Sequence, residues 1–195
     1  MNRSSLALLL LLAACHSGGS SMPAQSPPLE GASIGGPFAL TDQNGLPVTN
    51  RSFAGRYRVM YFGYTFCPDV CPTDVATLGA AMKLLDASDS TLAASVVPIF
   101  VTVDPARDTP AILKQFVTAF YPRMQGLTGT PAAIAGVTKA FGIYASKGAA
   151  TPDGGYLVNH TRQAYLMSKD GKPLALLPVE QGPQAVADEI KHWTR

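Results

Sequence analysis

The feature that most constrains the fold is a strand-to-helix turn that carries two cysteines, Cys67 and Cys71. Apolar residues 59–62 predict a buried strand before the turn, and a helical pattern over residues 73–85 follows it. Pro72 suits the first turn of that helix, because an N–H there would make no helical bond. Both thiols are therefore predicted near the positive end of a helix, whose field favours the thiolate that attacks disulfides and binds metals. A structural disulfide, or two buried thiols, is the alternative.

The rest of the chain alternates between strand and helix patterns. Asn44-Gly45 is a strong hairpin dipeptide, and Pro110 and Pro131 each follow a threonine that can cap a helix. Residues 145–155 lack periodicity and predict a long loop, a kind that is often functional. The predicted strands are residues 37–41, 48–49, 58–64, 96–103, 156–158, 163–167 and 174–177, and the predicted helices are residues 73–85, 110–120, 132–141 and 184–193.

This order predicts a thioredoxin-like fold. Two buried strands separated by a helix imply a right-handed parallel crossover, and the hairpin at Asp170-Gly171 adds antiparallel strands. The expected architecture is therefore α/β, with a central mixed sheet flanked by helices and an N-terminal β-hairpin. In the helix that begins near Pro110, Ile112, Phe116 and Phe120 are predicted to mark the buried face.

Composition allows one ordinary domain with appendages in 195 residues. Hydrophobic residues make up 47% and charged residues 14%, which supports a sizeable core and argues against disorder of the whole chain. The balance of 15 basic against 13 acidic residues gives no indication of nucleic-acid binding.

The N-terminus has the pattern of a targeting segment. Arg3 precedes an apolar run over residues 6–14 that is too short to span a bilayer, and the run ends in Leu12-Ala13-Ala14-Cys15. This resembles a bacterial lipobox, although an ordinary secretory signal is the alternative. We expect residues 1–14 to be a lipoprotein signal peptide, residues 15–36 an acylated cysteine and flexible tether, and residues 37–195 the domain. The expected location is extracytoplasmic, with the protein anchored to a membrane by the Cys15 lipid and facing the periplasm.

His160 is the candidate third ligand among three histidines. His16 lies in the predicted tether and His192 in the closing helix. His160 precedes the strand at residues 163–167, which in a thioredoxin-like sheet lies beside the strand that leads to Cys67. A Cys₂His site favours Cu(I) or zinc, and structural zinc prefers four ligands. A capping or packing histidine is the alternative.

Several motifs together resemble the Sco/SenC family over residues 37–193. They are residues 62–72 with both cysteines, Val103-Asp104-Pro105, Arg107-Asp108-Thr109-Pro110, Gly126-Leu127-Thr128-Gly129 and Val158-Asn159-His160-Thr161. The resemblance implies a thioredoxin-like protein that assists assembly of the copper A centre of cytochrome c oxidase. It also implies that Cys67, Cys71 and His160 bind copper. We expect one copper per chain, as Cu(I) and also as Cu(II).

The partner implied by the resemblance is the oxidase subunit that carries the copper A site. A periplasmic copper donor or a thiol reductase is a further expected partner. Asn159 stands where many family members have aspartate, and the lipobox replaces the transmembrane anchor of other members.

Two functions remain open at this point, a copper chaperone and a thiol–disulfide oxidoreductase that reduces cysteines of the oxidase subunit or another extracytoplasmic target. The Cys-x-x-x-Cys spacing differs from the Cys-x-x-Cys of general oxidoreductases, and no proline directly precedes residues 163–167, where thioredoxins carry a cis-proline. A peroxiredoxin-type peroxidase fits less well, because Thr65 lies two residues before Cys67 with no proline upstream in the strand.

Overall fold

The computed structural model describes residues 25–151 and 154–194, in which strands and helices alternate. The strands are β1 (Ala39–Asp42), β2 (Pro47–Thr49), β3 (Tyr57–Gly63), β4 (Val96–Thr102), β5 (Gln125–Thr128), β6 (Ala145–Ala150), β7 (Tyr156–His160), β8 (Ala164–Met167) and β9 (Pro173–Leu176). The helices are α1 (Val70–Ser88), α2 (Ser90–Ser95), α3 (Pro110–Phe120), α4 (Pro131–Ala140) and α5 (Pro183–Thr194), with short 3-10 helices at Asn50–Phe53 and Val179–Gln181.

Seven strands form one mixed sheet in the order β2-β1-β5-β4-β3-β8-β9. Strands β3, β4 and β5 are parallel, whereas β8 pairs antiparallel with β3. All of β4 and all but the first residue of β3 are buried, as expected for central strands covered on both faces. The predicted α/β class, the central mixed sheet with its helices and the N-terminal hairpin of β1 and β2 are therefore confirmed.

The sequence patterns miss two strands. Strand β5 is four residues long and contains Gly126, so its strand signal is weak. Residues 145–150, predicted as part of a loop, instead form β6 and pair with β7 in a separate two-stranded sheet. Most of β6 is exposed, so no apolar alternation marks it in the sequence, and the loop prediction is wrong there.

Two helices also differ from their predictions. Helix α1 begins at Val70, three residues early, which places Cys71 in its first turn. The buried face of α3 is carried by Leu113 and Val117, whereas the predicted residues 112, 116 and 120 are only half-buried. The cause is Gly126 of β5, where an added Cβ would lie 3.0 Å from the Leu113 Cβ and 3.3 Å from a Val117 methyl group. The glycine lets α3 approach the sheet along that face.

The segment before β1 packs on the domain. The Leu29 N–H donates to the Leu174 carbonyl at 3.0 Å, and the Gly35 N–H donates to the Ala140 carbonyl at 2.8 Å. Leu29 and Ile34 also contact the hydrophobic core. These contacts favour a domain that begins before residue 37. Residues 1–24, with the predicted signal peptide, Cys15 and the first part of the tether, lie outside the described residues, so those boundaries stay predictions. Within the described part of the chain, no helix is long and apolar enough to cross a membrane.

Candidate metal centre

The cysteine turn is anchored by a buried aspartate, Asp108, at the start of α3. Its carboxylate accepts hydrogen bonds from the Thr65 N–H at 3.1 Å, the Thr65 hydroxyl at 2.6 Å and the Thr102 hydroxyl at 2.6 Å. Thr65 lies in the cysteine turn and Thr102 ends β4, so one carboxylate joins the turn to the central sheet. In the sequence Asp108 stands out only as part of a motif, and no local pattern indicates its contacts with Thr65, 43 residues away.

His160 lies beside Cys71 in the structure, although the two residues are 89 positions apart in the sequence. The Cys71 sulfur lies 3.2 Å from Nε2 of His160, and Cys71 is fully buried. The other ring nitrogen, Nδ1, lies 3.0 Å from the Thr161 carbonyl oxygen. Because a carbonyl oxygen only accepts, Nδ1 carries the proton, and the lone pair of Nε2 faces the Cys71 sulfur. The edge of the Tyr64 ring packs against the imidazole, with the two centroids 5.9 Å apart.

Cys67 lies at the N-terminal end of α1 and is half-buried. Its sulfur accepts the Cys71 N–H at 3.5 Å. Burial alone would raise the pKa of the Cys67 thiol, but the N–H groups of Asp69, Cys71 and Val70 outweigh it and lower the pKa below its ordinary value. Cys67 is therefore the more readily ionised thiol.

The other two residues respond to burial in opposite directions. Burial raises the pKa of the Cys71 thiol to about 12, with the neighbouring Cys67 adding to the shift. Burial lowers the pKa of His160, although the Thr161 carbonyl and the Asp74 carboxylate oppose that shift. The imidazole is thus held neutral, which is the form that binds metals.

The three predicted ligands are neighbours but do not form a ready-made cage. Among residues 25–151 and 154–194, no group of three or more His, Cys, Asp or Glu side chains is spaced to hold a metal ion. Cys67 and Cys71 are both free thiols. The Cys67 sulfur already lies against Cys71, so binding by all three ligands would require it to move toward His160. The exposure of the neighbouring Pro68 and Asp69 leaves room for that movement.

Gly63, at the end of β3, provides space for this centre. A Cβ at this position would lie 3.1 Å from the Cys71 sulfur and 3.0 Å from a ring carbon of Tyr61. Both distances are shorter than ordinary contacts, so a side chain here would press on the buried thiol. The sequence contains no signal for this role beyond the presence of a glycine before the turn.

A sequence model of the family described as SCO1/SenC matches residues 26–195. The chain belongs to the SCO1/SenC family. It is 38% identical to the SenC protein of Rhodobacter capsulatus over 179 residues, which cover 91% of this chain and 75% of that protein. It spans only 40% to 53% of the length of several mitochondrial SCO relatives.

Solved structures of SCO1/SenC proteins have the same fold. ScoI of Bradyrhizobium japonicum, solved with copper bound, is 41% identical, with a TM-score of 0.74 over 82% of this chain and 99% of that one. BsSco, described as a member of the Sco family of cytochrome c oxidase assembly proteins in which a disulfide switch was identified, is 28% identical. Its TM-score is 0.65, and the match covers 86% of this chain and 95% of that one. The predicted thioredoxin-like fold is confirmed.

In this SCO1/SenC chain a cluster of aromatic rings around Arg107 joins the cysteine turn to β7. The Arg107 guanidinium lies 3.7 Å from the Tyr156 ring centroid and 4.9 Å from that of Phe66. The same guanidinium pairs with Asp104, which also accepts the Tyr156 hydroxyl at 2.8 Å. Phe66, Arg107 and Tyr156 are far apart in the chain, so no local pattern in the sequence indicates this cluster.

Neither His192 nor Asn159 joins the SCO1/SenC centre. His192 packs on the Trp193 ring in α5, with the two centroids 4.3 Å apart. Asn159 is exposed, and strand alternation places it on the face of β7 opposite to His160. His16 and Cys15 lie outside the described residues.

Proposed function

We propose that the protein binds copper through Cys67, Cys71 and His160 and delivers it during assembly of the copper A centre of cytochrome c oxidase. The observation that carries the proposal is the 3.2 Å approach of His160 Nε2 to the Cys71 sulfur, with the proton on the opposite ring nitrogen. Family membership, the copper held by Bradyrhizobium ScoI and the description of BsSco support it.

The chemistry of the donors suits copper as a cargo. Two thiolates and one imidazole are soft and borderline donors, a set that Cu(I) accepts readily, and nitrogen together with sulfur also suits Cu(II). The Thr161 carbonyl fixes the tautomer of His160 and holds its ring, a common device at metal-binding histidines. A small number of ligands at a surface turn permits exchange with the thiols of an incoming oxidase subunit that carries the copper A site.

A thiol–disulfide oxidoreductase is the second candidate, and the unequal thiols favour it. Cys67 has a lowered pKa and Cys71 a raised one, which is the arrangement of an attacking and a buried partner cysteine. The substrate would then be the cysteines of the oxidase subunit, or those of another extracytoplasmic target. Exchange with a disulfide of that target would reduce it to two thiols, close the Cys67–Cys71 disulfide and remove both sulfur donors from copper.

The test uses reduced protein with single substitutions. Wild type should hold one copper per chain, and Cys67→Ser and Cys71→Ser should each abolish stoichiometric binding. His160→Ala should weaken binding, more for Cu(II) than for Cu(I), while the Cys67–Cys71 couple still forms a disulfide. His192→Ala is the matched control, because that ring lies on α5 against Trp193 and should leave copper binding unchanged.

Oxidase assembly in cells separates the two functions. A chaperone predicts that His160→Ala lowers oxidase activity and that added copper partly restores it. If His160→Ala supports assembly as well as wild type while Cys67→Ser does not, the thiols act alone and the oxidoreductase is the better description.

Location is part of the same proposal. The lipobox pattern that ends at Cys15 supports a lipid-anchored protein on the periplasmic side of a membrane. Cys15→Ala should move the protein from the membrane fraction to the soluble fraction. An unchanged distribution would contradict the anchor.

A further inference from the structure

An ion pair between Asp74 and Arg162, whose side chain is 42% exposed, lies beside the candidate metal centre. Asp74 is fully buried on α1, three residues beyond Cys71 and thus on the same side of the helix. Its carboxylate accepts two hydrogen bonds from Arg162, from Nε at 2.6 Å and from Nη2 at 2.5 Å. The Tyr61 hydroxyl donates to the same carboxylate at 3.0 Å. The carboxylate therefore has three donors from two other parts of the chain.

The pair joins the two chain segments that carry Cys71 and His160. Arg162 lies two residues beyond His160, as Asp74 lies three residues beyond Cys71. A bidentate arginine–carboxylate pair fixes orientation as well as distance. Separating such a pair is costly, because a buried charge would be left without its partner. The pair thus resists any movement of residues 160–162 away from α1.

His160 needs such an anchor because of where it lies. It ends β7, which belongs to the small β6–β7 sheet rather than to the seven-stranded sheet. On its N-terminal side, the Tyr156 hydroxyl ties the strand to Asp104 at 2.8 Å. On its C-terminal side, Arg162 binds Asp74 before β8 joins the main sheet.

We propose that Asp74 and Arg162 are positioning residues for the metal centre and that their ion pair sets the separation of Cys71 and His160. This inference rests on the proposed function only in assuming that Cys71 and His160 bind copper. Asp74 and Arg162 act through His160 and do not touch the metal.

The test changes the geometry of the pair and then removes its charges. Arg162→Lys keeps the positive charge but loses the bidentate geometry. The double variant Asp74→Leu/Arg162→Met removes both charges together, which avoids a lone buried carboxylate. The matched control is Asp86→Leu/Arg123→Met. It removes another ion pair of α1, in which Asp86 also accepts a tyrosine hydroxyl.

The first readout needs no metal. In reduced, metal-free protein, NMR cross-peaks between the His160 and Tyr64 rings report the position of the imidazole, because these rings pack edge to face. The cross-peaks should weaken or vanish in Arg162→Lys and in the Asp74/Arg162 double variant, and should persist in the control. Cross-peaks of wild-type intensity in both variants would overturn the proposal. If the double variant fails to fold, Arg162→Lys alone decides this readout.

The second readout is the dissociation constant for Cu(II). Loss of an outer partner of a metal-binding histidine typically weakens binding 10- to 100-fold, so we expect an increase of about tenfold or more in both variants. In a His160→Ala background the same changes should have no further effect, since the pair acts through that ring. An equal loss in both backgrounds would overturn the proposal. Failure of wild type to bind copper would refute the proposed function instead, and the NMR readout would still decide whether the pair positions His160.

Discussion

Cys67 and Cys71 should differ greatly in their rates of alkylation in reduced, metal-free protein. At pH 8 a thiol with a pKa of about 12 is ionised in about one molecule in 10,000. Cys67, whose pKa lies below its ordinary 9.0, is ionised in at least about one molecule in ten. The ratio of thiolate populations is therefore about 1,000 or more in favour of Cys67.

Intrinsic reactivity offsets part of this ratio. A thiolate with a higher pKa is the better nucleophile. With a Brønsted coefficient of about 0.4–0.5, a difference of three pKa units makes the Cys71 thiolate about 15- to 30-fold more reactive than the Cys67 thiolate. Even at its ordinary pKa of 9.0, Cys67 would therefore react about 30- to 65-fold faster than Cys71. The full burial of Cys71 adds further protection that this figure does not include.

The assay is iodoacetamide labelling with a metal chelator, followed by mass spectrometry of peptides that separate Cys15, Cys67 and Cys71. Cys71→Ser should leave the fast phase intact, whereas Cys67→Ser should leave only slow labelling. Labelling of both residues at rates within about threefold would refute the argument, because burial would then not suppress the Cys71 thiolate.

Two further predictions concern the residues that shape the centre. Gly63→Ala should lower the free energy of unfolding by about 1–3 kcal/mol, the usual cost of overpacking, because the new Cβ would lie 3.1 Å from the Cys71 sulfur. Chemical denaturation measures this change, and unchanged stability would contradict the prediction. Burial raises the pKa of Asp108 despite its hydrogen bonds from Thr102 and Thr65, so the folded state holds that proton more tightly than the unfolded chain. Its contribution is fully present below the ordinary pKa of 3.8 and is lost as the pH rises through the raised folded pKa. In urea titrations, wild type should therefore lose stability relative to Asp108→Asn as the pH rises. A difference in unfolding free energy that stays constant with pH would contradict the raised pKa.

The sequence predicts those elements whose signals are long and local. The apolar run of β3 and the helical spacing of α1 extend over enough residues to identify both elements, and Asn44-Gly45 marks the first hairpin by its own turn chemistry. The exposed strand β6 contains Gly148 and small residues, so nothing local distinguishes it from a loop. Its partner β7 supplies the pairing, and that information lies in the fold.

The same distinction holds for the centre. Cys67, Cys71 and His160 are rare residue types with a restricted chemistry, so composition and spacing make them candidates, and the family resemblance implies that they bind copper. Asp74 and Arg162 are ordinary charged residues separated by 88 positions, and no local pattern pairs them. Their roles follow from three-dimensional neighbours alone.

The alternation of side chains along β7 has a consequence for chain length. Tyr156, Val158 and His160 are buried or half-buried, whereas Leu157 and Asn159 are exposed. One residue inserted between Val158 and His160 would turn the imidazole to the exposed face, and two would restore the face but displace the ring by about 7 Å along the strand. Insertions and deletions between Ala150 and Tyr156 are therefore compatible with the centre. Those between Tyr156 and His160 are not. Within the family, the number of residues from the position of Tyr156 to that of His160 should therefore be constant, which helps to align the histidine.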